Sequence, residues 1–503
     1  MLLVDLVRVS EAVAATQSRT EKVELLAGLL AQLEGDEVPV GVSYLSGRPI
    51  QRPLGVGYAA VYSLEAAAAE VPTLELADVD EILEQVSTTA GPGSKSAKAK
   101  LLTAMLSSAT PAEQEYLRGL MLQNLRQGAL EGVLAEAVAA ALQVPTDRVR
   151  RAAMLEGDFV TAASKALVEG VDALAAASLE ILQPVQPMLA KTAESAGTAV
   201  TELGEAIVDW KLDGARVQVH RAGDEVAVYT RNLRDVTHRQ PGLVTAALEL
   251  SSSRFILDGE SLLIGDGGQP AAFQDSMSTF GAERESENAL SAFFFDCLHL
   301  DGEDLIDRPL LDRRSALESV VPPSSIVGSI KTADPKEADA FFEAAVAGGF
   351  EGVVAKDPHG VYEAGRRGSG WLKVKPTHTL DLVVLAAEWG SGRRQGWLSN
   401  LHLGARDQDG SFVMLGKTFK GLTDEMLQWQ TDRFLEIEDR RDGHVVYLKP
   451  EVVYEIAFDG VQRSTRYPGG VALRFSRVKR RRDDKDPTEA DTVESVRSYL
   501  KGP

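Results

Sequence analysis

Two prolines within Gln183-Pro184-Val185-Gln186-Pro187 divide the chain into parts that obey different periodicities. Before them, residues 1 to about 183 read as helices throughout. Leu130, Val133, Leu134, Ala137, Val138 and Ala141 recur at helix-face spacing, alanine is abundant, and strand-like alternation is absent. Ser107 or Thr110 can cap a helix led by Pro111, and Pro145-Thr146 opens another. Beyond the prolines the pattern changes to short alternating runs. Val217 and Val219 alternate with Gln218 and His220, and Gly223-Asp224 turns the chain into Val226 and Val228, which predicts a β-hairpin. Phe255-Ile256-Leu257, Ala292 to Phe295 and Gly352 to Ala355 read as buried strands, with helices over Asp312 to Val320 and Pro335 to Ala347. A second boundary is expected near Pro376-Thr377-His378-Thr379. After it Leu382 to Leu385, Phe412 to Leu415 and Val452 to Ile456 alternate with Gly-rich turns, the signature of a small β-barrel.

A length of 503 residues suggests roughly three domains. Hydrophobic content of 44% and charged content of 25% are ordinary for a soluble protein. The single cysteine, Cys297, excludes a disulfide framework and a Cys-rich zinc module, which fits a reducing cytoplasm. The N-terminus is apolar from Met1 but interrupted by Asp5, Arg8 and Glu11, and no apolar run is long enough to cross a bilayer. A soluble, cytoplasmic protein without membrane contact is expected. The net charge of −21 argues at first sight against a polyanionic partner. Phosphate binding depends on local clusters, however, and two are present. One gathers Arg474, Arg477, Lys479 to Arg482 and Lys485; the other places Lys95, Lys98 and Lys100 behind Gly91-Pro92-Gly93-Ser94. Each could equally be a solvated face.

Lys211-Leu212-Asp213-Gly214-Ala215-Arg216 carries the chemistry. A primary amine, a carboxylate, a turn glycine and a guanidinium fall within one short segment. The amine could attack the α-phosphate of a nucleotide and hold the nucleotidyl group as a phosphoramidate, so that one hard step becomes two easier ones. A strand-end lysine before an Asp-Gly turn would look the same. Further reactive side chains follow at the ends of successive predicted strands: Arg231 after Tyr229-Thr230, Glu260 in Asp258-Gly259-Glu260, Asp296 after Phe295, and Glu351 and Lys356 around Gly352 to Ala355. Lys373 and Lys375 in Trp371-Leu372-Lys373-Val374-Lys375 are expected on one strand face, since strand side chains repeat every two residues. Singly, each has an ordinary structural reading as surface cation, turn acid, core aromatic or edge charge.

Together, in this order, they resemble the motifs of the covalent nucleotidyltransferase superfamily, which comprises DNA ligases, RNA ligases and mRNA-capping enzymes. The Lys211 segment resembles motif I, Arg231 motif Ia, Asp258-Gly259-Glu260 motif III, Phe295-Asp296 motif IIIa, Glu351 to Lys356 motif IV and Trp371 to Lys375 motif V. Gln186-Pro187-Met188-Leu189-Ala190 resembles the start of the adenylation domain of ATP-dependent DNA ligases. Gly416 to Gly421 and Arg474-Phe475-Ser476-Arg477 through Arg482 to Lys485 resemble their C-terminal domain and its motif VI. The helical third resembles their helical DNA-binding domain around Gly93-Ser94 and Arg126-Gln127-Gly128. The chain is thus similar to the three-domain, bacterial (actinobacterial) form of that family.

The resemblance implies an all-α DNA-binding domain (1–183), an α+β, ATP-grasp-like nucleotidyltransferase domain for adenylation (184–377) and an OB-fold β-barrel (378–503), joined by two hinges. It implies ATP and Mg²⁺ or Mn²⁺ as cofactors. The implied partner is nicked double-stranded DNA, encircled by a monomer in the cytoplasm at the nucleoid. Lys211 would be the catalytic nucleophile, activated by a pKa lowered by Arg216, Lys373 and a metal. Asp209, Arg216, Arg231, Glu260, Phe295, Arg367, Lys373 and Lys375 would bind ATP or AMP, with Phe295 stacked on adenine. Glu260 and Glu351 would hold the metal; Arg477, Arg482, Asp484 and Lys485 would serve the pyrophosphate. Gly93, Ser94, Lys95 and Arg126 would touch DNA. Two positions depart from the family: Ser476 stands where proline is frequent, and Phe273-Gln274 continues into Asp275-Ser276-Met277 where many relatives carry basic residues. A GTP-dependent capping-type guanylyltransferase is the enzymatic alternative, and a non-catalytic nick-sensing scaffold the other. An NAD⁺-dependent ligase would ordinarily need a four-cysteine zinc site that Cys297 alone cannot form.

Overall fold

The computed structural model describes residues 1–500 except 52, 126, 129–130, 266–267, 282–289 and 366–367. Its contacts divide the chain into two compact units, Met1–Pro187 and Met188–Pro503. Arg126 and Arg367, two of the expected contact residues, lie outside the described residues, as does Leu130.

The first unit is built on helices. Pro111–Met121 starts at Thr110, whose backbone N–H donates to Glu113 Oε2 at 2.8 Å, a reciprocal cap that satisfies otherwise orphaned donors. Thr146–Leu155 begins directly after Pro145. Glu131–Leu142 turns Val133, Leu134, Ala137 and Val138 inward, and its small residues let it pack closely against Arg19–Leu30. Gly93 takes a left-handed φ of 86° ahead of the helix Ser94–Ser107, and within that helix Lys98 donates to Leu54 O at 2.7 Å. Among the described residues no helix is long and apolar enough to cross a membrane.

The second unit opens with strands β1 (Lys191–Thr192), β2 (Ala206–Lys211), β3 (Ala215–Ala222), β4 (Glu225–Thr230) and β5 (Arg254–Leu262). They are followed by β6 (Ser291–Leu300), β7 (Glu303–Asp304), β8 (Ser329–Thr332), β9 (Gly352–Lys356) and β10 (Trp371–Val374). These form two five-stranded sheets, ordered β1-β10-β9-β2-β8 and β4-β3-β5-β6-β7. Pairing is antiparallel except between β1 and β10. The expected hairpin is β3–β4, turning at Gly223 with φ of 67°. Leu310–Val320 and Pro335–Ala347 are the two expected helices, and Ala338 and Ala345 of the second bury against Val208, Val353 and Ala355.

The rest of the unit adds β11 (His378–Trp389), β12 (Leu398–Arg406), β13 (Phe412–Thr418), β14 (Glu438–Asp442) and β15 (Val445–Leu448). It ends with β16 (Val453–Phe458), β17 (Gly460–Arg463), β18 (Val471–Arg474) and β19 (Arg477–Arg481). β13-β12-β11-β15-β14 is a continuous antiparallel path, with β16 joining β11 to β19. Register shifts at Val384/Ala386 and Leu403/Gly404 curl this sheet around Leu382, Leu401, Tyr454, Ile456 and Phe458, because a bulge bends its strand. The described strands thus form a curled antiparallel sheet, with β17–β18 as a separate hairpin. The sheet begins only three residues after the last residue of motif V, at His378, and it packs into the same compact unit as the two preceding sheets.

Candidate functional site

Lys211 is the last residue of β2, and β3 begins four residues later. The turn between them is held against β5. A Cβ on Gly214 would collide with the Ser261 carbonyl, and the Gly214 N–H donates to Glu260 Oε1 at 3.2 Å. On the other flank Lys211 is in register with Gly352 of β9, and the Glu351 N–H donates to the Lys211 carbonyl at 2.9 Å. Gly352 has φ of 140° and lies so close to Val374 that a Cβ would meet its carbonyl oxygen, which explains glycine there. These backbone constraints bring two distant side chains together: Lys211 Nζ lies 2.5 Å from Glu351 Oε2.

The other Glu351 oxygen pairs with Lys375. Lys375 lies one residue beyond the end of β10. It reaches past the strand end to Glu351 and, at 3.5 Å, to Asp459 beside the β17–β18 hairpin. Lys373 stays with the pocket on the other side of Lys211.

That pocket is walled by Met188, Leu189, Trp210, Phe295 and Trp371 and edged by Arg231, Glu260 and Lys373. Phe295 and Trp371 meet edge to face at 6.0 Å, and Lys356 Nζ sits 4.4 Å from both ring centroids. Asp209 is buried beneath, 2.6 Å from Lys356 Nζ and 3.4 Å from Arg314 Nη1. Its carboxylate is therefore tied into the floor. Arg216 is similarly committed. It donates from Nε and Nη2 to Asp258 at 3.0 and 2.6 Å, from Nη1 to the Met188 carbonyl at 2.6 Å, and from Nη2 to the Tyr362 hydroxyl at 3.2 Å. Tyr362 in turn donates to Asp258 at 2.7 Å. Most of the Arg216 fork braces the wall, whereas exposed Arg231 makes no ion pair or side-chain hydrogen bond among the described residues and is available to a ligand.

Tyr362 carries no sequence signal, since it stands in a loop and acts through its burial. Arg313 and Arg314 read as charges on a helix. In the fold, Arg313 is fully buried against Asp296 at 2.7 Å, and Arg314 reaches Asp209. The 3.6-residue periodicity turns this face of Leu310–Val320 toward the sheet.

Electrostatics correct one expectation. Burial opposes charge on Lys211, but the Glu351 and Glu260 carboxylates outweigh it and hold the amine above the ordinary lysine range. In this arrangement the nearest charges are carboxylates, and they favour the charged form of Lys211. Glu260 moves the opposite way to a well-solvated acid: burial, with a contribution from Glu351, pushes it up to about 7 against the pull of Lys211 and Arg216. Two carboxylates thus converge beside the end of β2, and oxygen ligands of that kind suit a hard divalent cation. Among the described residues no cluster of three His, Cys, Asp or Glu could hold a metal alone, so phosphate oxygens and water would complete the shell.

The C-terminal basic residues behave differently. Arg477 pairs with Asp459 at 3.0 Å, Arg482 with Asp381 at 2.8 Å and with Asp484 at 2.8 Å, and Lys485 with Asp381 at 2.5 Å. None of them lines the nucleotide-sized pocket. Arg474 crosses to the turn after Lys211, gripping Asp213 at 2.6 and 3.2 Å.

Two sheets meeting at a half-buried lysine, with an aromatic-walled pocket on one side, are the architecture of a nucleotidyltransferase. Residues 187–375 match the family described as ATP dependent DNA ligase domain, 394–485 the ATP dependent DNA ligase C terminal region, and 60–139 the DNA ligase N terminus. A probable DNA ligase of Saccharopolyspora erythraea is 52% identical, covering 100% of this chain and 98% of the relative. One of Mycobacterium sp. strain KMS is also 52% identical, covering 99% of both chains. A solved structure titled Pmar-Lig_Pre. aligns over 95% of this chain and 99% of its own with a TM-score of 0.67; at 19% identity that likeness concerns the fold alone. The chain belongs to the ATP-dependent DNA ligase family.

Proposed function

We propose that the protein seals 5′-phosphate/3′-hydroxyl nicks in duplex DNA in three phosphoryl transfers, with Lys211 as the nucleophile. The supporting observation is Lys211 at the end of β2, wedged between Glu351 and Glu260 and opening onto a pocket with aromatic walls and a free guanidinium at Arg231. In the first transfer Lys211 Nζ gives up its proton and forms a bond to the α-phosphorus of ATP, and pyrophosphate leaves. The nucleotidyl group then passes to the 5′-phosphate oxygen at the nick, freeing Lys211. Finally the 3′-hydroxyl gives up its proton, its oxygen bonds to the phosphorus of the 5′-phosphate at the nick, and AMP departs with the bridging oxygen. Positioning and charge neutralisation dominate such transfers.

Each residue's role follows from its surroundings. Phe295 and Trp371 offer apolar surface to the base, with Asp209 and Lys356 as the polar floor. Arg231 and Lys373 face the phosphates and ribose, and Arg216 fixes the wall that carries them. Glu351 holds Lys211 in place and, when it takes on other partners, releases the amine to react. Mg²⁺ or Mn²⁺ held by Glu260 and Glu351 would supply charge neutralisation for both carboxylates and phosphate oxygens. Residues 1–183 form the DNA-binding domain, 184–377 the adenylation domain and 378–503 an OB-type domain, and a monomer closes around the duplex in the cytoplasm at the nucleoid. Helix N-termini and the Gly93-Ser94 loop with Lys95 contact phosphates without requiring net positive charge.

Incubation with α-labelled ATP or GTP followed by denaturing electrophoresis tests the reading. An AMP adduct on the wild type that is absent from Lys211→Ala is expected. A GMP adduct would instead assign a capping-type enzyme, and no adduct a non-catalytic protein.

A further inference from the structure

The departure at Asp275 has a structural counterpart. Asp275 lies in the first turn of the helix Phe273–Gly281, and Arg463 ends β17 in the C-terminal region. The Arg463 guanidinium donates to both Asp275 carboxylate oxygens, at 2.9 and 3.1 Å. Gln274 beside it clamps the same residue's backbone: its amide donates to the Arg463 carbonyl at 2.9 Å, and its oxygen accepts the Arg463 N–H at 3.0 Å. Phe273 completes the patch, with the Arg474 guanidinium 4.3 Å above its ring. Three consecutive residues therefore read the two strands of one hairpin by charge, by backbone and by ring face. A basic residue at 275 would place two cations together and abolish the central contact.

While this hairpin is seated, the basic cluster is directed elsewhere. Arg477, Arg482 and Lys485 are paired with Asp459 and Asp381 inside their own region and are absent from the pocket beside Lys211. We infer that Asp275 and Arg463 are positioning residues. They form a latch that holds the C-terminal sheet in the seated arrangement, restraining the first transfer, where the family resemblance would put those cations at the leaving pyrophosphate, and favouring the later ones. This inference rests on the proposed three-transfer reaction for its kinetic consequence, but not for its structural one.

The test is charge reversal in the full chain: Asp275→Arg, Arg463→Glu, and both together. Both side chains are about half exposed, so the fold tolerates each change. Each single variant is expected to enlarge the radius of gyration of the free protein in small-angle scattering. It should also speed single-turnover adenylation by ATP about threefold and slow sealing of a pre-adenylated nick about threefold, the range an exposed bidentate pair sustains. The double swap should return all three values toward wild type. Unchanged scattering, both reactions moving in the same direction, or no recovery in the swap would overturn the latch. Absence of any Lys211 adduct in the wild type would overturn the reaction scheme instead, and scattering would still decide the latch.

Discussion

The Lys211 neighbourhood and the Arg474–Lys485 cluster invite opposite impressions in sequence and in space. Along the chain the second is far denser in charge, with Arg477 and Lys479 to Arg482 almost consecutive. In the fold, Arg474 crosses to Asp213, but the cations that follow it are neutralised within their own region: Arg480 by Glu455, Arg481 by Asp483, and Arg482 by Asp381 and Asp484. The charges around Lys211 are sparse in sequence and come from β2, β5 and the ends of β9 and β10, yet they converge in a buried place where Coulomb terms are strong. A reactive site is made by convergence under burial, not by local density.

The largest contrast should appear on removing the nucleophile. Lys211→Ala is expected to lower adduct formation and sealing at least about a thousandfold, with an unchanged circular dichroism spectrum. Retained labelling would place the nucleophile elsewhere and dissolve the comparison. Glu351→Ala should cost on the order of a hundredfold in phosphoryl transfer with little loss of nick binding, and excess EDTA should stop sealing altogether. Full activity in EDTA would remove the metal from the scheme.

Stability sharpens the same contrast. Arg313 and Asp296 are both fully buried, so Arg313→Met leaves an uncompensated carboxylate in the core, an expected loss of about 3–5 kcal/mol in chemical denaturation. His220 tests burial through pH. Burial, with His299 nearby, lowers its pKa from 6.5 to about 3, so the folded protein keeps it neutral while the unfolded chain protonates it below 6.5. Stability should therefore fall as pH drops from 6.5 toward 3. His220→Gln should flatten that fall by about 2 kcal/mol at pH 5. Identical pH slopes in the two proteins would show that the imidazole is solvated. The smallest effect is expected from Arg480→Ala, within about 0.5 kcal/mol, since its guanidinium is largely exposed. A loss comparable to that of Arg313 would end the distinction between the two regions.

Much of this was legible in the sequence because strand and helix periodicities are local. The helical first unit, the β3–β4 hairpin and the helices over 310–320 and 335–347 follow from patterns a few residues long. The pocket's lining from Asp209, Arg231, Glu260, Phe295 and Lys373 follows from motif order. What could not be read depends on tertiary proximity. Tyr362 matters only because a loop lays its hydroxyl between Arg216 and Asp258. Lys375 meets Glu351 only because β10 and the start of β9 lie side by side, 24 positions apart in sequence. The pKa of Lys211 is raised because two carboxylates outweigh burial, a balance no linear spacing encodes.

The pairing of Lys211 with Gly352 across β2 and β9 has a consequence for how this enzyme tolerates change in length. The nucleophile's address is a count of residues along two neighbouring ladders, not the shape of a loop. A single insertion or deletion between Ala206 and Lys211, or within Gly352–Lys356, would transfer every following side chain to the opposite sheet face. Lys211 and Glu351 would then part while the backbone hydrogen bonds re-formed almost intact. The same slip would turn Val208, Val353 and Ala355 off their core, so length variation in a lineage of these enzymes should collect in the connections and spare these two strands.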